Sequence, residues 1–177
     1  MELHEELLDQ AKYLRERYAQ TSHQADLRRA TASAYYALFH FVIAAACRRS
    51  LGTDPQSEPL RQVMARAFVH EEMAATSKTF LSGTLPDNMR RLFPVIPEDL
   101  KNFADAFARL QDLRYSADYD LAFLMNPQDV AASIKTAEDA ILGWANIQDH
   151  PTTHLYLLML LAGKQIRARK FGNPSVS

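Results

Sequence analysis

Apolar positions recur along most of this chain at the three- and four-residue spacing of a helix face, not at the alternation of a strand. Leu3, Leu7, Ala11, Leu14 and Tyr18 lay out an amphipathic helix from about Leu3 to Gln20. Thr21 to Gln24 has the Ser/Thr-x-x-Gln form of a capping box, so a second helix is expected from there to Gly52, a C′ glycine behind Arg48 and Arg49. Glu58-Pro59 opens a third helix with Leu60, Val63, Met64, Ala67 and Phe68 on its apolar face and an end near Ser82-Gly83. Residues 83–97 hold three prolines and leave room only for a short helical turn around Asp87 to Leu92. Pro97 opens a fourth helix carrying Leu100, Phe103, Ala104, Phe107, Leu110 and Leu113 to Tyr119 or beyond. Behind the Asn126-Pro127 cap, a fifth runs toward Asp149 with Val130, Ile134, Ala137, Ile141 and Trp144 inward. Pro151 starts a sixth, closed by Gly172 and Pro174.

The second helix is unlike the others. From Ala30 to Cys47 it holds eighteen residues without Asp, Glu, Lys or Arg, about 27 Å at 1.5 Å per residue, which is short for a bilayer core wanting about 20 mainly apolar residues. Thr31, Ser33, Tyr35, Tyr36 and His40 would carry polar groups into lipid, and seven of the eighteen residues are alanine. A helix that is small or apolar nearly all round is expected instead at the centre of a bundle, where alanines allow close approach and tyrosine hydroxyls find partners. Leu155 to Ala162 is too short to span; with the basic stretch after it, it reads as a packed terminal helix or as one that docks a partner or a membrane surface.

Composition agrees with helix and bounds the rest. The chain has 177 residues, 47% of them hydrophobic, with five Gly and eight Pro, as expected of a single all-α domain over 1–177. The lone Cys47 excludes an internal disulfide framework, and the acidic start MELHEELLDQ lacks a signal peptide's regions, which together predict a cytoplasmic protein. Net charge is −1, so no global field attracts polyanions. Only the tail is basic: Lys164, Arg167, Arg169 and Lys170 all follow the last acidic residue, Asp149.

Ala34-Tyr35-Tyr36-Ala37-Leu38-Phe39-His40, preceded by Arg28-Arg29, resembles the second-helix signature of the HEPN domain family. Leu110 to Phe123, LQDLRYSADYDLAF, resembles the Leu-x-x-x-Arg-x-x-Ala-Asp-Tyr pattern found late in the core of small HEPN proteins, and Val69-His70 loosely matches their His-containing helix. The resemblance implies an up-and-down helical bundle over about 5–149, with the helix of about 151–171 and the proline-rich segment as additions. It also implies a homodimer with a polar cleft between protomers, and either ribonuclease activity of the toxin–antitoxin or phage-defence type or partnership with a nucleotidyltransferase or antitoxin.

One departure bears on activity. Cleaving members carry Arg, four to six residues, then His; here Arg114 is followed by no histidine through Asp120, and Tyr119 stands in its place. A phenol with a pKa near 10 is a poor general base for attack by a 2′-hydroxyl, whereas imidazole suits the task. The expected function is therefore nucleotide, RNA or partner binding at Arg114, Asp118, Tyr119, Tyr36, His40, Arg29 and His70. Two alternatives stand beside it: an active metal-independent ribonuclease using Arg114 with His40 or His70, and a purely structural interaction protein.

Each residue also has a plainer reading. Arg114 and Asp118 are four apart and suited to an intrahelical ion pair, though Arg before Asp is the weaker order. Tyr35, Tyr36 and Phe39 can be simple packing, and His40 a satisfied core histidine. Arg90-Arg91 and the basic tail offer phosphate contacts or solvated charge. Cys47, near a helix C-terminus, reads as inert. His70-Glu71-Glu72-Met73-Ala74 lacks the second histidine of a zinc-protease helix, His150 and His154 flank a helix start, and Gly163-Lys164 lacks a glycine-rich phosphate loop, so neither metal nor cofactor is expected.

Overall fold

The computed structural model describes residues 1–168, and among these the chain forms an all-α helical bundle with no strand. Its helices are α1 (Leu3–Thr21), α2 (Gln24–Leu51), α3 (Glu58–Ala65), α4 (His70–Ser82), α5 (Asp87–Leu92), α6 (Glu98–Tyr119), α7 (Pro127–Gly143) and α8 (Pro151–Ala168). The expected closure at Gly172 and Pro174, and the basic residues Arg169 and Lys170, lie outside the described residues.

α2 is the axis of the fold. By length and composition it could cross a membrane, yet 72% of its apolar window is buried against other helices. α1, α6 and α7 pack along it, α3 and α8 reach it, and α4 bridges α6 to α8. The alanines make this possible: Ala30, Ala34 and Ala37 are buried along one stripe of the helix and Ala32 and Ala46 on the opposite one, so neighbours approach closely on both sides. Phe103 and Phe107 of α6, Tyr156 of α8 and Phe80 of α4 fill the remaining space.

Three local expectations are corrected. The capping box at Thr21–Gln24 does not form. Thr21 closes α1, Ser22 turns the chain at φ 55°, and His23 is the N-cap of α2. Thr21 Oγ1 instead donates to the buried carboxylate of Asp26 at 2.8 Å, which Arg17 grips from Nε (3.1 Å) and Nη2 (2.9 Å). The same hydroxyl accepts from His23 N at 3.3 Å, while its hydrogen goes to Asp26, because a buried carboxylate left without donors costs more than an exposed one. Burial opposes the ionisation of Asp26, but Thr21 and Arg17 together hold its pKa below the ordinary carboxylate value. The reciprocal capping box lies one helix earlier, at Glu2 and Glu5, with Glu in place of Ser or Thr.

The third helix is two. α3 ends at Ala65, Phe68 turns into the core, and Val69 is extended (φ −117°, ψ 124°) as the N-cap of α4. The break lets α4 pack on α6 and α8 while α3 stays on α2, and it leaves Leu60 and Val63 exposed. A periodic apolar pattern cannot register such a change of axis. Gly83 (φ 69°) closes α4 in the left-handed conformation. The fifth helix stops at Gly143, short of Asp149, and a 3-10 turn swings Trp144 between Phe41 (5.8 Å) and Phe103 (4.7 Å). Gly52, Pro97, Asn126-Pro127 and Pro151 mark helix ends as the sequence predicts, and the short turn at Asp87–Leu92 is present.

Candidate functional site

Tyr35 and Tyr36 leave α2 about 100° apart, so their hydroxyls serve different neighbours. The fully buried Tyr35 reaches His70 at the first turn of α4, OH to Nδ1 at 2.6 Å. Half-buried Tyr36 accepts a hydrogen bond from Arg114 Nη2 of α6 at 2.7 Å. Arg114 also sits over two rings, 5.4 Å from the centroid of Tyr36 and 5.6 Å from that of Tyr119. Its Nε lies 2.8 Å from Asp118 Oδ2 as an ion pair, but that buried N–H has no aligned hydrogen-bond partner. Arg114 thus makes both the intrahelical pair and a tertiary contact.

The two imidazoles flank Tyr36. Its ring centroid is 5.9 Å from that of His70 and 6.3 Å from that of His40. His70 is stacked on Phe39 at 4.1 Å. His40 meets Phe39 edge-on at 5.3 Å and has no hydrogen-bond partner among the described residues. Burial pushes the pKa of His40 down. That of His70 is lowered by burial first, then by the charge of Arg114 and by His40. Both rings are therefore neutral near pH 7. Burial pushes the Tyr35 phenol up, which excludes it as a base.

Arg114, Asp118, Tyr119, Tyr36, His40 and His70 thus form one cluster drawn from α2, α4 and α6. Arg29 stands apart. It is exposed, two helical turns before Tyr36 on a similar face of α2, and makes none of these contacts. Its neighbour Arg28 does the local work: it donates to the carbonyls of Ala117 (2.7 Å) and Asp120 (2.9 Å) and to that of Phe123. Gln24 clamps the next stretch, donating to Met125 O (3.1 Å) and accepting from Met125 N (2.8 Å). Between them these residues fasten the end of α6 and the loop after it to α2.

Sequence reasoning missed Arg28 and Gln24. Two adjacent arginines at a helix start give no sign of which turns inward; only the carbonyls left free at the end of α6 decide it. What the fastening holds in place is exposed: Tyr115 and Tyr119, ring centroids 5.0 Å apart, are 64% and 62% exposed, and Leu121 and Leu124 are 91% and 73% exposed.

Among the described residues no group of three His, Cys, Asp or Glu side chains is arranged to hold a metal ion. His150 and His154 are used locally: His150 Nδ1 accepts from Thr152 N, and His154 lies beside Arg49 and Gln148 O. Cys47 is a buried free thiol whose pKa burial pushes up. No protein-family model matches this chain, and no curated protein or solved structure is significantly similar to it.

Proposed function

We propose that this chain is a HEPN-like binding module of a reducing cytoplasm, taking a nucleotide or single-stranded RNA at the Arg114 cluster. The supporting observation is that Arg114, anchored by Tyr36, lies beside an exposed pair of tyrosines. A guanidinium with N–H groups left over suits a phosphate, and exposed rings beside it suit the stacking of unpaired bases. A duplex would bury neither ring. Pairing into a homodimer across this face, and service to a nucleotidyltransferase or antitoxin partner, belong to the same reading.

The test is fluorescence anisotropy with a labelled RNA decamer at 50 and 200 mM salt. Binding at low salt, weakened at high salt and at least tenfold weaker in Arg114→Ala with helix content retained, is the expected outcome. No binding at 50 mM salt overturns this reading in favour of a protein-interaction module.

A second reading has an observation of its own. His40 and His70, both neutral, border the ring to which Arg114 is bonded, and His40 has no hydrogen-bond partner among the described residues. That is a general base with a nearby cation, assembled across helices instead of along one. Metal-free RNA cleavage lost in both His40→Ala and Arg114→Ala is the outcome this reading requires.

A further inference from the structure

His40 also borders a cavity. Along the same face of α2 as Tyr36, one to three turns further on, a cleft of about 430 Å³ lies between the start of α1, the second half of α2 and α3. Leu3, Ile43, Ala44, Cys47 and Ala65 make its walls apolar, and His40 stands at one end. A second concavity of about 400 Å³ continues past it and shares His40, Ile43 and Ala65. This size lies within the usual range for small-molecule sites.

The charged side chains around this first cleft are already matched with one another, whereas Arg66, on the second concavity, has no ion pair among the described residues. Arg48 pairs with Glu2 at 3.2 Å. Arg61 pairs with Glu58 at 2.8 Å and also donates to the carbonyls of Gly52 and Asp54. Gln62 donates to Glu58 at 3.2 Å. An ionic ligand would have to break one of these pairs, so the cleft selects against net charge. Thr53 is exposed at the edge and His4 is drawn to Glu2 at 3.6 Å, which leaves the half-buried, neutral imidazole of His40, without a hydrogen bond among the described residues, as the polar group set against the apolar wall. The Cys47 thiol is no competitor, since its Sγ is turned to Arg61 O at 3.6 Å.

We propose that this cleft, which adjoins the Arg114 cluster at His40 but is not lined by Arg114, is a small-molecule site for an uncharged and mainly apolar ligand of one or two fused rings that carries one hydrogen-bonding group for His40. An aromatic heterocycle with a single N–H has that chemistry: its rings lie against Ile43, Ala44 and Ala65 while the N–H donates to the imidazole. The proposal does not depend on RNA binding.

Indole is the probe, titrated into the full-length protein and followed by saturation-transfer NMR, with the His40 ring resonances read in parallel. Saturable binding that moves those resonances is expected. Ala44→Phe fills the cleft from α2 and Ala65→Leu narrows it from α3; each should weaken indole at least tenfold, with helix content checked by circular dichroism. Arg114→Ala should leave indole binding unchanged. The proposal is overturned if indole does not saturate, if it saturates without moving the His40 resonances, or if either folded cleft variant binds it as well as the parent chain.

Discussion

Two tyrosines sit in polar clusters at different depths of this bundle, and they have little else in common. Tyr156 of α8 is fully buried; its hydroxyl meets Ser77 Oγ at 2.8 Å, Ser77 in turn donates to Met73 O at 2.8 Å, and Phe80 and Phe103 enclose the ring. Nearby, Thr76 donates to Met159 O at 3.0 Å. The chain runs hydroxyl to hydroxyl to carbonyl and ends inside the protein. Tyr36 of α2 is only half-buried, and its network ends outward, at Arg114 and the exposed rings of Tyr115 and Tyr119. The first arrangement holds α4 to α8. The second keeps donors, a cation and neutral imidazoles within reach of a ligand. Depth, more than residue type, separates a structural hydroxyl from a candidate site.

The contrast can be broken by substitution, and the largest effect is expected at the buried centre. Tyr156→Ala removes a fully enclosed ring and should cost about 3–5 kcal/mol in urea denaturation. A loss under about 1 kcal/mol would mean that α8 is not integral to the core. Next comes the fastening between the two regions. Arg28→Ala deletes three hydrogen bonds from a charged donor and should destabilise by about 2 kcal/mol. Hydrogen exchange should then rise in residues 117–126 before the rest of the bundle.

At the exposed end the balance reverses. Tyr119→Ala should change stability by no more than about 0.5 kcal/mol, because the ring is mostly in solvent. RNA affinity should nevertheless fall by about 1–3 kcal/mol if bases stack there. Equal losses of stability and binding would remove the distinction between the two centres.

The smallest effect is a pH dependence. His40 and His70 have folded pKa values below the ordinary histidine value of about 6.5. As pH falls through that value the unfolded chain takes up protons that the folded one refuses, so stability present above it is lost on acidification. The urea midpoint should drop between pH 7.5 and pH 5, and His70→Gln should flatten the slope. Asp26, with its lowered pKa, contributes in a separate window below the ordinary carboxylate value, so its loss comes at lower pH than that of the histidines.

How far the candidate cluster was legible varies residue by residue. The spacing of Tyr36 and His40, and that of Arg114 and Asp118, placed each pair on one helix face, and both pairs lie together in the fold. That Tyr36 would be the ligand of Arg114, and Tyr35 that of His70, has no local signal: the residues are 78 and 35 positions apart. The same limit hid the cleft beside His40, whose three walls come from separate helices.

The one-dimensional pattern was enough for the all-α class, for a central helix too alanine-rich and polar to favour lipid, and for the helix ends marked by Gly52, Pro97, Asn126 and Pro151. These follow from propensity, periodicity and caps, which act over a few residues. Tertiary structure alone decided the bend at Val69, the inward turn of Arg28, the capture of Thr21 by Asp26 and the meeting of Arg114 with Tyr36 between two imidazoles. Each of these depends on which buried donor or acceptor lacks a partner once the helices have packed, a condition that does not exist until the fold does.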